Sequence, residues 1–139
     1  MDVNEPAPSL RVVEQRVRNR IIEYFELVGS SDEQRAYERK APAYVNIPYE
    51  VINQWEDWVS KDPRSGSYEP LSTFSAEEVQ ALRDYQAVWE DAVAAVPSTY
   101  PSLAEVEALP EWSDLTRSAA RASVVFARRG PLPEDHEVD

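Results

Sequence analysis

Apolar residues recur along this chain at spacings of three and four, the period of an α-helix, and no stretch alternates convincingly with the period of two that marks a strand. The first such run holds Val13, Val17, Ile21, Tyr24, Phe25 and Val28. Ser9 is placed to cap it, and Gly29 is a natural residue to end it. Val12 and Ile22 fall off that stripe, so this helix is expected to be covered on two sides, as a central helix would be.

Punctuation residues divide the rest. Ser30-Ser31-Asp32-Glu33 matches a capping box and opens a short helix over 32–40 that Pro42 prevents from continuing. Pro48 suits the first turn of the next helix, whose apolar face is Val51, Ile52, Trp55, Trp58 and Val59. A loop over 61–74 follows, with Pro63, Gly66 and Pro70; loops of that length are more often functional or mobile than short ones. Ser75-Ala76-Glu77-Glu78 is a second capping box, opening a helix over 76–96 with Val79, Leu82, Tyr85, Trp89, Val93 and Val96 inward. Ser102-Leu103-Ala104-Glu105 opens a short helix stopped at Pro110. A last helix over 111–129 turns Trp112, Leu115, Ala119, Ala122 and Phe126 inward and ends at Gly130.

The expected fold is therefore all-α, a single-domain helical bundle of four main helices plus two short ones. Residues 1–8 are expected to be a frayed lead-in, 9–130 the folded domain, and 131–139, rich in proline and acid, a disordered tail. At 139 residues there is room for one domain and no internal repeat is visible.

Composition removes several classes of chemistry. With no cysteine there are no disulfides, thiol nucleophiles or thiolate metal sites, and a single histidine, His136, leaves no serine–histidine triad and no histidine-rich metal centre. The three glycines, Gly29, Gly66 and Gly130, are too far apart for a phosphate-binding loop. No cofactor is expected. Twenty-six acids against fourteen bases give a net charge of −12, which repels nucleic acid and anionic membranes alike. No window is apolar enough to span a bilayer, and the opening residues carry neither the basic nor the apolar run of a secretory leader, so the cytoplasm is the expected compartment. Twelve arginines beside two lysines hint at a GC-rich bacterial genome.

The charge is unevenly spread. Residues 48–111 carry thirteen acids and three bases, whereas 112–130 carry one acid and four bases. On the helix at 76–96, Glu77, Asp84 and Asp91 are seven apart and lie within roughly 40° of one another, away from the apolar face. Glu50, Asn53 and Asp57 lie opposite the Val51, Trp55 and Trp58 face of the preceding helix in the same way. Two outward acidic ridges suit a basic partner, whose encounter they would steer. Tyr49 and Tyr68 lie beside them in or near connections, where tyrosine makes a good interface anchor.

The leading expectation from these residues is a protein-binding antagonist: a bacterial immunity protein that covers the active site of a basic toxin, with a nuclease as the type of target. This rests on an analogy with acidic helical immunity proteins as a class. Glu50, Asp57, Glu77, Asp84 and Asp91 would supply the charge, with Tyr49 and Tyr68 as anchors. Arg117, Arg121 and Arg128 cluster on one side of the last helix, which leaves open a regulatory or structural homodimer gripped through them. A third alternative is a carboxylate-dependent hydrolase. Glu23-Tyr24-Phe25-Glu26 has the i, i+3 spacing with which all-α nucleotide pyrophosphatases hold Mg²⁺. The second carboxylate pair of that pattern is missing: Glu50 is followed three residues later by Asn53, and Glu111 with Asp114 lies far downstream at a helix start.

Overall fold

The computed structural model describes residues 8–58, 73–99 and 101–138, and the side chain of Trp58 lies outside that description. The described residues hold six helices and no strand: α1 (Leu10–Val28), α2 (Ser31–Lys40), α3 (Ile47–Trp58), α4 (Ala76–Ala95), α5 (Leu103–Glu107) and α6 (Pro110–Ala127). The fold is all-α, as the periodicity predicts.

The caps are where the serines put them. Ser9, Ser30, Ser75 and Ser102 each accept a hydrogen bond from a first-turn backbone N–H of the helix that follows, relieving donors that have no partner within the helix. Only at Ser75 is the box shown closed from both sides, because Glu78 there also accepts from the Ser75 N–H. Pro110 does not merely stop α5. It opens α6 as one of its first residues, where its missing N–H costs nothing.

α1 is central, and it packs against α2, α3 and α6. Ile21, Tyr24, Phe25 and Val28 are buried, and so are Val12 and Ile22, the two residues off the main stripe. The expected inward position of Val13 is incorrect: it is 41% exposed. The turn that buries Val12 also turns Gln15, Arg18 and Asn19 inward, three polar residues that no hydrophobic pattern marks as core. Val93 on α4 is likewise exposed against expectation, while the inward residues of α6 are all buried as expected.

The centre is aromatic. Phe25, Trp55 and Tyr85 meet with ring centroids 4.7–5.7 Å apart, and Phe126 lies 5.7 Å beyond Phe25. Each polar tip there is satisfied. The Tyr24 hydroxyl donates to the Val51 carbonyl at 2.9 Å and stands 2.6 Å from the Tyr85 hydroxyl, which then supplies its own hydrogen to Tyr24. Burial pushes both phenols well above their ordinary ionisation range. The indole N–H groups of Trp55, Trp89 and Trp112 donate to Gln86, to the Ile52 carbonyl and to Gln34. These three tryptophans belong to the core, as their positions on apolar faces imply.

Two corrections concern the glycine at the end of α1 and the C-terminus. Gly29 caps α1 with φ −74°, so the left-handed conformation is not what calls for glycine. A Cβ there would lie 2.9 Å from the Ala120 backbone nitrogen, so its role is to let the end of α1 approach α6. Gly130, φ +70°, does adopt the left-handed turn beyond α6. The segment after it, expected to be disordered, instead lies along α1 through 138 and is held by side chains of Arg11, Gln15, Arg16, Asn19 and Arg20.

Candidate acidic protein-binding surface

α4 and α6 pack antiparallel. The start of α4 meets the end of α6, where Glu77 pairs with Arg128, and farther along Asp91 shares a pocket with Asp114 of the first turns of α6. The two helices close on small residues, Ala81, Ala122 and Ser118, leaving a shallow groove of about 400 Å³ between them. Glu77 and Asp84 stand on one wall of it and Arg121 and Arg128 on the other. The seven-residue spacing of the α4 acids is thus matched by arginines across an antiparallel seam, the arrangement that flanks a helix–helix contact.

This changes the reading of the α4 ridge. The ridge expected to meet a basic partner is already met at Glu77, which is joined to Arg128 of the same molecule. Asp84 is held by the Gln80 amide at 2.9 Å and lines the same groove as Arg121 without pairing to it. Asp91 lies beside Glu111, Asp114 and Arg121 and makes no ion pair among the described residues. Of the three arginines considered for a homodimer, Arg117 pairs with Asp114 one turn earlier and Arg128 with Glu77, which leaves Arg121. Two of the three are therefore occupied within the chain.

The outer side of α3 is different. Asn53, Glu56 and Asp57 are exposed and Glu50 is half-buried, and among the described residues no cation lies within ion-pair distance of these three acids. Helical spacing does not single out Glu56, because it sits on the flank of the ridge rather than its crest. Tyr49 is not free to anchor a partner by its hydroxyl, which donates to the Pro97 carbonyl at 2.6 Å and ties the start of α3 to the segment after α4. Tyr68 and most of the loop over 61–74 lie outside the described residues.

Glu23 and Glu26 are exposed, with Glu23 paired to Arg20 at 3.0 Å, and the described residues contain no cluster of acids and histidine able to hold a metal ion. No helix among them is long and apolar enough to cross a membrane.

A different polar group is deeply built into the fold. Arg18 and Glu78 face each other with side chains 0% and 1% exposed, joined by two hydrogen bonds at 2.7 and 3.1 Å. Arg129 reaches the same carboxylate from the end of α6, and the Ser75 N–H completes its shell. Burial by itself would raise the Glu78 carboxyl, but the two guanidinium groups and the backbone N–H outweigh it and hold the group below its ordinary value. Arg18 also donates to the Gly130 carbonyl at 2.7 Å. The Arg18 donors lead to protein atoms, so this cluster joins α1, α4 and the C-terminal turn. Comparison with protein-family models, with curated proteins and with solved structures gives no match for this chain.

Proposed function

We propose that this chain binds a basic protein and blocks it, in the manner of a bacterial immunity protein acting on a toxin, and that the toxin is of the nuclease type. The observation that carries the reading is the outer face of α3, where Glu50, Glu56 and Asp57 stand without a neighbouring cation among the described residues. Asp84 and Asp91 of α4 are acids without an ion pair among the described residues, but they stand on the α6 side of α4 beside Arg121, and Glu77 drops out because it pairs with Arg128. A nuclease holds phosphate with cations, so carboxylates presented on a rigid helix can occupy that ground in place of nucleic acid. The chain's net charge of −12 adds a long-range attraction that speeds encounter. In this reading the chain acts in the bacterial cytoplasm, without a cofactor and without catalysis of its own.

The test follows from the difference between steering and docking. Reversing Glu50 and Asp57 to lysine together should slow association with the partner about tenfold at low salt and change dissociation much less. The partner is first obtained by affinity capture from the native host, together with inspection of the neighbouring genes for a basic toxin. Stopped-flow mixing at two salt concentrations then measures both rates. An unchanged on-rate would show that α3 does not face the partner.

A further inference from the structure

The C-terminal segment is held to α1 mostly through its main chain. Asn19, 6% exposed, both donates to the Leu132 carbonyl at 2.7 Å and accepts from the Leu132 N–H at 2.9 Å, so one amide closes on both polar groups of one residue. Gln15, 0% exposed, donates to the Pro133 and His136 carbonyls and accepts from the Val138 N–H at 3.0 Å. Arg11 and Arg16 donate to the Val138 and Glu134 carbonyls. One side-chain interaction adds selectivity: the Glu134 carboxylate meets Arg20 and the Asn19 amide. This is how grooves that bind extended peptides work, with the main chain supplying affinity and a single pocket the sequence preference. The three arginines also give this stretch of α1 the opposite charge to the segment's Glu134, Asp135 and Glu137.

We propose that this face of α1 is a peptide-binding groove, filled by the chain's own residues 131–138, which also accepts the same extended acidic segment from a second copy. The sequence that demonstrably fits is this one, because every bond described above is made to it. The turn at Gly130, φ +70°, is the point about which the arm would swing outward. Exchange of identical elements about such a hinge costs little, since the hydrogen bonds broken within one molecule re-form between the two. Tethering gives the cis arrangement an effective concentration of order ~1 mM, so the wild-type chain stays monomeric well below that. The inference is independent of the antagonist reading, which concerns other helices.

The test is complementation between two full-length variants. Gln15→Ala/Asn19→Ala keeps the arm and loses the groove; Glu134→Lys keeps the groove and sets a cation against Arg16 and Arg20. Both are weakened in closing on themselves and in pairing with their own kind, the first through the lost main-chain bonds to Gln15 and Asn19, the second through repulsion at Arg16 and Arg20. Mixed in equal amounts at up to ~1 mM, they should form a species of twice the chain mass in sedimentation, absent from either alone. A mixture that remains monomeric overturns the proposal. Because the first variant could fold poorly, a second measurement uses only Glu134→Lys and a labelled synthetic peptide with the sequence of residues 130–139. Anisotropy should show saturable 1:1 binding at least tenfold tighter than to the wild-type chain. Equal affinity for both chains, or no binding, overturns it as well.

Discussion

Glu78 is the residue on which most of the structure converges. Its carboxylate completes the cap of α4, pairs with Arg18 from the middle of α1 and receives Arg129 from beyond α6. A buried pair is not in itself strong evidence of stability, but removing one member strands the other without water or a partner. Glu78→Gln should therefore cost about 3–5 kcal/mol in urea unfolding at neutral pH. The pH dependence has a definite sign. A carboxyl held low in the folded state stabilises it above the unfolded value of about 4.3, and that contribution is lost as pH falls through the folded value. The gap between wild type and variant should close below about pH 4, and a gap unchanged down to pH 3 would contradict the assignment. At this scale the sequence misleads in one instructive way. Gln15, Arg18 and Asn19 look like surface residues, and only the partners supplied by residues 60 or more positions away offset the cost of burying them.

At the scale of helices, local rules were enough for existence and ends, because capping and helical periodicity act within one or two turns. They were not enough for rotation. Val12 and Val13 are adjacent, and which of them faces inward depends on what packs against the first turns of α1. The same limit applies to the charged ridges. The outward angle of Glu77 was readable from its spacing, but whether it stood alone depended on α6 lying antiparallel beside α4. The closeness of helices also gives a test. Alanine in place of a glycine with ordinary φ normally helps slightly by stiffening the unfolded chain. At Gly29 the Cβ would meet Ala120 backbone that cannot yield, so Gly29→Ala should instead destabilise by about 1–3 kcal/mol, read by thermal or urea unfolding. A neutral or stabilising result would mean that α1 and α6 are not so tightly apposed.

For the molecule as a whole, a net charge of −12 opposes compaction, and several of its cation–anion pairs are exposed and contribute little each. Raising ionic strength from about 0.01 M to 0.15 M shortens the screening length from ~30 Å to ~8 Å, which weakens the summed repulsion more than pairs in direct contact. The melting temperature should rise by a few degrees over that range in a differential scanning experiment. A fall would show that the pairs across α4 and α6, and between α1 and the C-terminal segment, outweigh the repulsion.

By itself the sequence determined the helical class, the six segments, the serine caps of four of them and the excess of acid between residues 48 and 111, because each depends on neighbours within a turn or on composition alone. It determined the outward acids of α3 for the same reason. Tertiary structure decided which of the acids remain uncompensated, that Tyr49 is tied to Pro97, and that the acidic C-terminal segment is ordered along α1. Those outcomes are set by pairings between residues far apart in the chain, and charge or periodicity counted along one helix carries no information about what the fold brings to face it.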